Sequence, residues 1–203
     1  MPSSPTNPPF KRLFASIKPP PDWIRGAAKI TQQLEKIYGT AVRWSDRESY
    51  HITVRFLGNL SPHIADSLIA TWPSLGETTL TAPTFFPEPC GCFPEKKEPV
   101  RIIWAGARAS FEWDSVVVHI DKHLASLGID CRSDVSIPHL TLGRVRDPQR
   151  ILGLREKASS LFLHAKPFIG TDIQLILSTP SPGGSTYTRL SAFSLTPPQN
   201  PPF

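Results

Sequence analysis

The sequence is poor in several things, and each shortage excludes something. It holds three cysteines, Cys90, Cys92 and Cys131. An odd count with a C-G-C pair is not a disulfide framework, and a zinc site would need a fourth ligand and wider spacing. These thiols are expected to be ordinary buried or loop residues. No run of about 18 apolar residues exists, so no membrane-spanning helix is expected. The opening MPSSPTNPPF lacks a basic segment followed by an apolar one and does not read as a secretory signal. A cytoplasmic location without a membrane partner is the expectation. G-x-x-x-x-G-K-[ST] is absent, as is G-x-G-x-x-G after a strand; PSPGGS at 180–185 is neither. ATP and NAD therefore find no support, and no cofactor is expected. Nor is there a dense carboxylate cluster of the kind that holds paired magnesium ions, so no metal is expected.

Proline, by contrast, is abundant at 23 residues, crowded into the first 21 positions, the stretch 83–99 and the last seven. Those segments read as loops or tails. Residues 1–9 are expected to form a flexible proline-rich tail, 10–196 a single bilobal domain, and 197–203 a second flexible tail. The net charge is +5. It is concentrated between Cys131 and Lys166, where seven Arg or Lys face three Asp or Glu. Such a balance favours an anionic substrate, but no Lys/Arg run marks a nucleic-acid arm.

The chain is doubled. KRLFASIK (11–18) alternates as a strand. Asp22 is placed to cap a helix whose stripe is Trp23, Ala27, Ile30, Leu34 and Ile37, and Gly39 ends it. A short strand, AVRW, then leads to HITV at 51–54. From Arg101 the order repeats. RIIWAGA reads as a strand, and 111–127 as a helix with the stripe Trp113, Val117, Ile120, Leu124 and Leu127. Gly128 ends that helix, and HLTL follows at 139–142. Offsets are nearly constant: 89 from Arg12 to Arg101, 90 from Trp23 to Trp113, 89 from Gly39 to Gly128, 88 from His51 to His139. Two similar units imply a bilobal body with approximate two-fold symmetry. Further helices are expected at 61–75 and 151–163, and a terminal hairpin around PSPGGS. The fold class is α+β: duplicated strand–helix–strand units, two mixed or antiparallel sheets, outer helices and a central cleft.

A strand has period two. His51 and Thr53 therefore share one face and Ile52 and Val54 the other; His139 and Thr141 are set likewise against Leu140 and Leu142. If the aliphatic faces pack inward, the two His/Thr faces can line one cleft. Two imidazoles on opposite sides of one phosphorus can divide the work, one accepting a proton from water and the other donating to the leaving oxygen. Threonine hydroxyls can hold non-bridging oxygens, and Arg144, with Arg55, can offset charge. One H-x-T alone is more simply packing; two, each closing the same lead-in, are much harder to explain that way.

HITVRFLG and HLTLGRV resemble the paired H-x-[ST]-x motifs of the 2H phosphoesterase superfamily. With RLFASI, FPEKKEPVRIIWAGA and SPGGSTYTRLSAFSL, residues 11–195 resemble its RNA 2′,3′-cyclic phosphodiesterases, historically called 2′-5′ RNA ligases. The resemblance implies a monomeric enzyme that hydrolyses RNA ends with 2′,3′-cyclic phosphates, or small cyclic nucleotides, to 2′-phosphates. Some relatives also join 2′-5′ linked ends. By carry-over, His51 is the general acid toward the 3′ oxygen, His139 activates water, and Thr53, Thr141 and Arg144 hold the phosphate. Members often carry R-x-F-x-P-H before the second histidine; here Pro138 stays and the arginine and aromatic do not. Arg132 is the candidate substitute. Phe14 is a candidate base-stacking ring, and Tyr187 and Arg55 are further candidate contacts. His63, His119, His123 and His164 read as surface histidines. The competing reading is an RNA-end binding module with little or no turnover.

Overall fold

The computed structural model describes residues 10–130, 137–182 and 184–200. The expected tail at 1–9, residues 201–203 of the expected tail at 197–203, and Arg132 lie outside them. Thirteen elements follow in order among the described residues: β1 (Lys11–Ile17), α1 (Pro21–Tyr38), β2 (Val42–Trp44), β3 (Ile52–Leu60), α2 (Pro62–Thr71), β4 (Thr84–Phe93), β5 (Ile102–Ala109), α3 (Glu112–Ser126), β6 (His139–Val145), α4 (Leu154–Ser159), β7 (Phe168–Ile169), β8 (Asp172–Ser181) and β9 (Gly184–Ser194). The architecture is α+β.

The two expected sheets are one. Strand order is β7-β4-β5-β6-β3-β1-β8-β9, with β2 paired to β6. Every strand pair is antiparallel. Among the described residues, the strand halves β7-β4-β5-β6 and β3-β1-β8-β9 pair directly at Ile52↔Leu140, and the segments before β4 and after β9 meet at the bridge Thr81↔Thr196. Two lobes are thus present, but they share a seam and do not divide the chain at its midpoint. β2 leaves the first unit to pair with β6, and β8 and β9 return from the second unit to extend β1. The helices cross over too. Helix α1 packs on β2 and β6, while α3 reaches β3 through the Arg55–Asp121 ion pair.

Helix α1 departs from its expected details. Pro20, extended, precedes it; Asp22 sits inside the first turn and accepts from the Lys166 N–H at 3.2 Å instead of capping. Tyr38 is buried and Ile37 is 55% exposed, because a 3.6-residue repeat carries Leu34 to position 38 on the same stripe. Gly39, at φ 48, closes the helix as expected. The helix expected at 151–163 shrinks to α4, which starts only after Gly153 in the left-handed conformation. The terminal hairpin forms with ten residue pairs across β8 and β9.

The period-two faces set the orientation of the motif strands. Ile52, Val54, Leu140 and Leu142 are fully buried. Each contributes about 1.5–3 kcal/mol by leaving water. A one-residue slip would turn all four outward and the histidines inward, so this core fixes which face looks into the cleft.

Candidate active site

Each motif histidine is set the same way. His51 directly precedes β3, and its Nδ1 lies 2.6 Å from the Ser49 carbonyl oxygen. His139 begins β6, and its Nδ1 lies 2.8 Å from the Ile137 carbonyl oxygen. In both cases the acceptor is the residue two positions earlier. A carbonyl can only accept, so each Nδ1 carries the proton and each Nε2 holds the lone pair. The antiparallel sense of Ile52↔Leu140 sets His51 beside Thr141 and Thr53 beside His139. The two H-x-T motifs therefore meet crosswise at the seam.

A cavity of about 260 Å³ takes in His51, Thr53, Thr141, Arg144 and Tyr187, together with Arg12, Arg43, Trp44 and Phe56. His139 is not in its lining. Its ring lies instead against Phe93 at 5.1 Å and Trp104 at 6.3 Å. His51 is walled equivalently, by Phe14 at 4.7 Å and Tyr187 at 5.2 Å. Phe14 and Trp104 are 90 residues apart, the offset that relates the two units. The duplication thus extends to an aromatic wall beside each imidazole. Phe14, expected to stack a base, is buried with its ring on His51. The walls at Phe93 and Trp104 escape sequence reading alone; the constant offset would have pointed to Trp104.

These surroundings shift both imidazoles. Burial is the main cause of the drop that takes His51 from 6.5 to about 4, with repulsion from His139, Lys18 and Arg144 adding to it. Burial likewise lowers His139, with Arg144 contributing. The crossed register at Ile52↔Leu140 brings the two motifs to one seam.

Other expected residues divide. Arg144 and Tyr187 line the cavity. Arg55 does not. Strict alternation from His51 and Thr53 would put Arg55 on the cleft face, but the β1–β3 ladder shifts register there: Ser16 pairs with Thr53 and Ala15 with Arg55. The extra residue, Val54, is a β-bulge that turns Arg55 over. Its Nε and Nη2 donate to Asp121 of α3 at 2.7 and 2.8 Å. Phe56, 61% exposed, takes the cleft face instead. Arg12 and Arg43 were not singled out by sequence; alternation on short strands flanked by charge gave no reason to prefer them.

Cys90 and Cys92 are buried and free, and burial pushes their thiols up to about 12 and about 11, which keeps them protonated and unreactive. Among the described residues no three His, Cys, Asp or Glu side chains gather as metal ligands would, and no helix is long and apolar enough to cross a membrane. His119 and His123, expected at the surface, are half-buried on α3 and pair across to the segment after α2 and to its end, with the Leu75 carbonyl and the Thr71 hydroxyl.

Comparison with known proteins agrees with this geometry. The model of the family described as LigT like Phosphoesterase matches residues 17–104, which contain HITV and end before HLTL. An RNA 2′,3′-cyclic phosphodiesterase of Methanocaldococcus jannaschii is 27% identical over 177 residues, 87% of this chain and 96% of that protein. A Thermus thermophilus protein of known structure superposes with a TM-score of 0.72 at 20% identity, covering 91% of this chain and 97% of that one. Escherichia coli LigT complexed with 3′-AMP does so with a TM-score of 0.65, again at 20% identity, covering 93% and 99%. The last two show the fold. The chain is similar in sequence to the LigT-like phosphoesterases over residues 17–104, and along most of its length to an RNA 2′,3′-cyclic phosphodiesterase.

Proposed function

We propose that the protein hydrolyses 2′,3′-cyclic phosphates of RNA or nucleosides to 2′-phosphates, without metal, using His51 and His139 as an acid/base pair. The observation that carries this reading is the crossed pair of H-x-T motifs at one seam, each histidine with Nδ1 committed to a backbone carbonyl. Each Nε2 is then free for proton transfer. Water attacks phosphorus as His139 Nε2 takes its proton; the bond from phosphorus to the 3′ oxygen breaks as His51 Nε2 protonates that oxygen. Thr53, Thr141 and Arg144 hold the non-bridging oxygens. Joining of two ends through a 2′-5′ linkage is the same displacement with a 5′-hydroxyl in place of water: the new bond forms from that oxygen to phosphorus as the bond to the 3′ oxygen breaks. The names of the curated relatives, RNA 2′,3′-cyclic phosphodiesterases, support the substrate class.

Incubation with a 2′,3′-cyclic phosphate tests this. A 2′-phosphate product, formed equally in the presence of EDTA, is expected. A 3′-phosphate product, or activity that EDTA abolishes and a divalent ion restores, overturns it. Binding of RNA ends with no product after long incubation would favour the binding-module reading.

The acid must be charged when it acts, yet His51 in the free site titrates at about 4. A bound phosphate anion offsets burial and restores the proton. In kcat/KM, which reports the free enzyme, the competent form has one imidazole charged and one neutral. Both are lowered from 6.5. The bell should therefore peak below pH 6.5 and fall about tenfold per pH unit above neutrality. A profile that is flat or rising between pH 7 and 8 would contradict the assignment.

A further inference from the structure

The cleft carries more positive charge than one cyclic phosphodiester neutralises. Arg12 of β1, Arg43 of β2 and Arg144 of β6 line it, against a single lining carboxylate, Asp46. Arg43 and Arg144 are direct cross-strand partners. Like charges directly opposite on neighbouring strands are unfavourable. Elsewhere Arg55, Arg108, Arg155 and Arg189 each meet a carboxylate. Among the described residues Arg12, Arg43 and Arg144 have no such partner. They also act on one another: after burial, repulsion from Arg43 and Arg12 is what lowers the Arg144 pKa. Three guanidiniums and one carboxylate around one cavity leave a net positive field that an anion can settle into.

That anion has a countable charge. Three guanidiniums and one carboxylate leave two positive charges, with His51 neutral. A cyclic phosphodiester brings one negative charge and leaves one cation unmatched. A substrate with a second phosphate matches it. We propose that Arg43 and Arg12 form a second phosphate subsite, which holds the phosphate on the 5′ oxygen of the nucleoside whose cyclic phosphate meets the two histidines. The inference rests on the hydrolytic reading above and narrows its substrate to 5′-phosphorylated ends, above all to the last nucleotide of an RNA chain. An internucleotide diester contributes the single charge the cleft leaves unmatched, and the exposed Phe56 on the same lining offers a face to a further base.

Three substrates decide it: a cyclic mononucleoside 2′,3′-phosphate, the same molecule with a 5′-phosphate, and a dinucleotide ending in that cyclic phosphate. The dinucleotide is expected to exceed the unphosphorylated mononucleoside in kcat/KM by about tenfold or more. In Arg43→Gln and Arg12→Gln the ratio should fall toward one. The ratio is the readout, since a general loss of activity leaves it unmoved. A ratio near one in the parent protein, or one preserved in both variants, overturns the subsite. An equal gain for the 5′-phosphorylated mononucleoside identifies a terminal phosphate as sufficient; gain for the dinucleotide alone identifies the diester, and either upholds it. Should none of the three turn over, the hydrolytic reading fails separately. Equilibrium binding then decides: tighter binding of the dinucleotide, lost in the variants, upholds the subsite, and equal binding overturns it.

Discussion

Replacing His139 or His51 with alanine lowers turnover of a 2′,3′-cyclic phosphate by a factor on the order of 10² to 10⁴, with the fold intact. The strands do not depend on the imidazoles. Leu140 and Leu142 anchor β6, and Ile52 and Val54 anchor β3, all fully buried on the opposite face. The double variant should lose little more than either single one, because proton removal and proton donation serve one event. The pH profiles of the residual activities separate the roles. Without His51 the acid is gone, so the alkaline limb should vanish; without His139 the base is gone, and the acidic limb should vanish. Near-full activity in either variant sinks the two-histidine mechanism, and exchanged limbs would reverse the assignment.

The second large effect is on stability. Arg55→Ala removes both guanidinium bonds to Asp121, from a side chain only 9% exposed, and leaves a carboxylate that is itself 31% exposed. Breaking a buried pair strands a charge; with Asp121 partly hydrated the expected loss is about 2–3 kcal/mol in denaturant unfolding. Arg55→Ala combined with Asp121→Ala should cost less than the sum of the two singles. The kcat/KM of the folded Arg55→Ala fraction should stay near that of the parent. Unchanged stability with a tenfold rise in KM would instead make Arg55 a substrate contact, as the alternation in HITVR suggests.

Much of the site was legible because strands and helices print their period on sequence. The H-x-T pair, the aliphatic anchors, the helix stripes and the near-constant offset are local patterns, and local sterics enforce them. Arg55 shows where that logic stops. The bulge at Val54 breaks the alternation, and its cause lies in the pairing of β3 with β1, not in the residues of β3. Arg43 shows another limit. VRW is too short to declare a partner, and only its docking on β6 brings Arg43 opposite Arg144.

By itself, then, the sequence determined that two copies of one unit each present a histidine and a threonine on one face, since side-chain alternation follows from backbone geometry. Tertiary structure alone decided that the copies meet at Ile52↔Leu140, that β2 and the β8–β9 hairpin change lobes, that an aromatic wall dries each imidazole, and that three arginines converge on one cavity with a single carboxylate, Asp46, in its lining. Those are contacts between residues far apart in the chain. They are selected by which buried faces pack best together, a choice no single segment encodes.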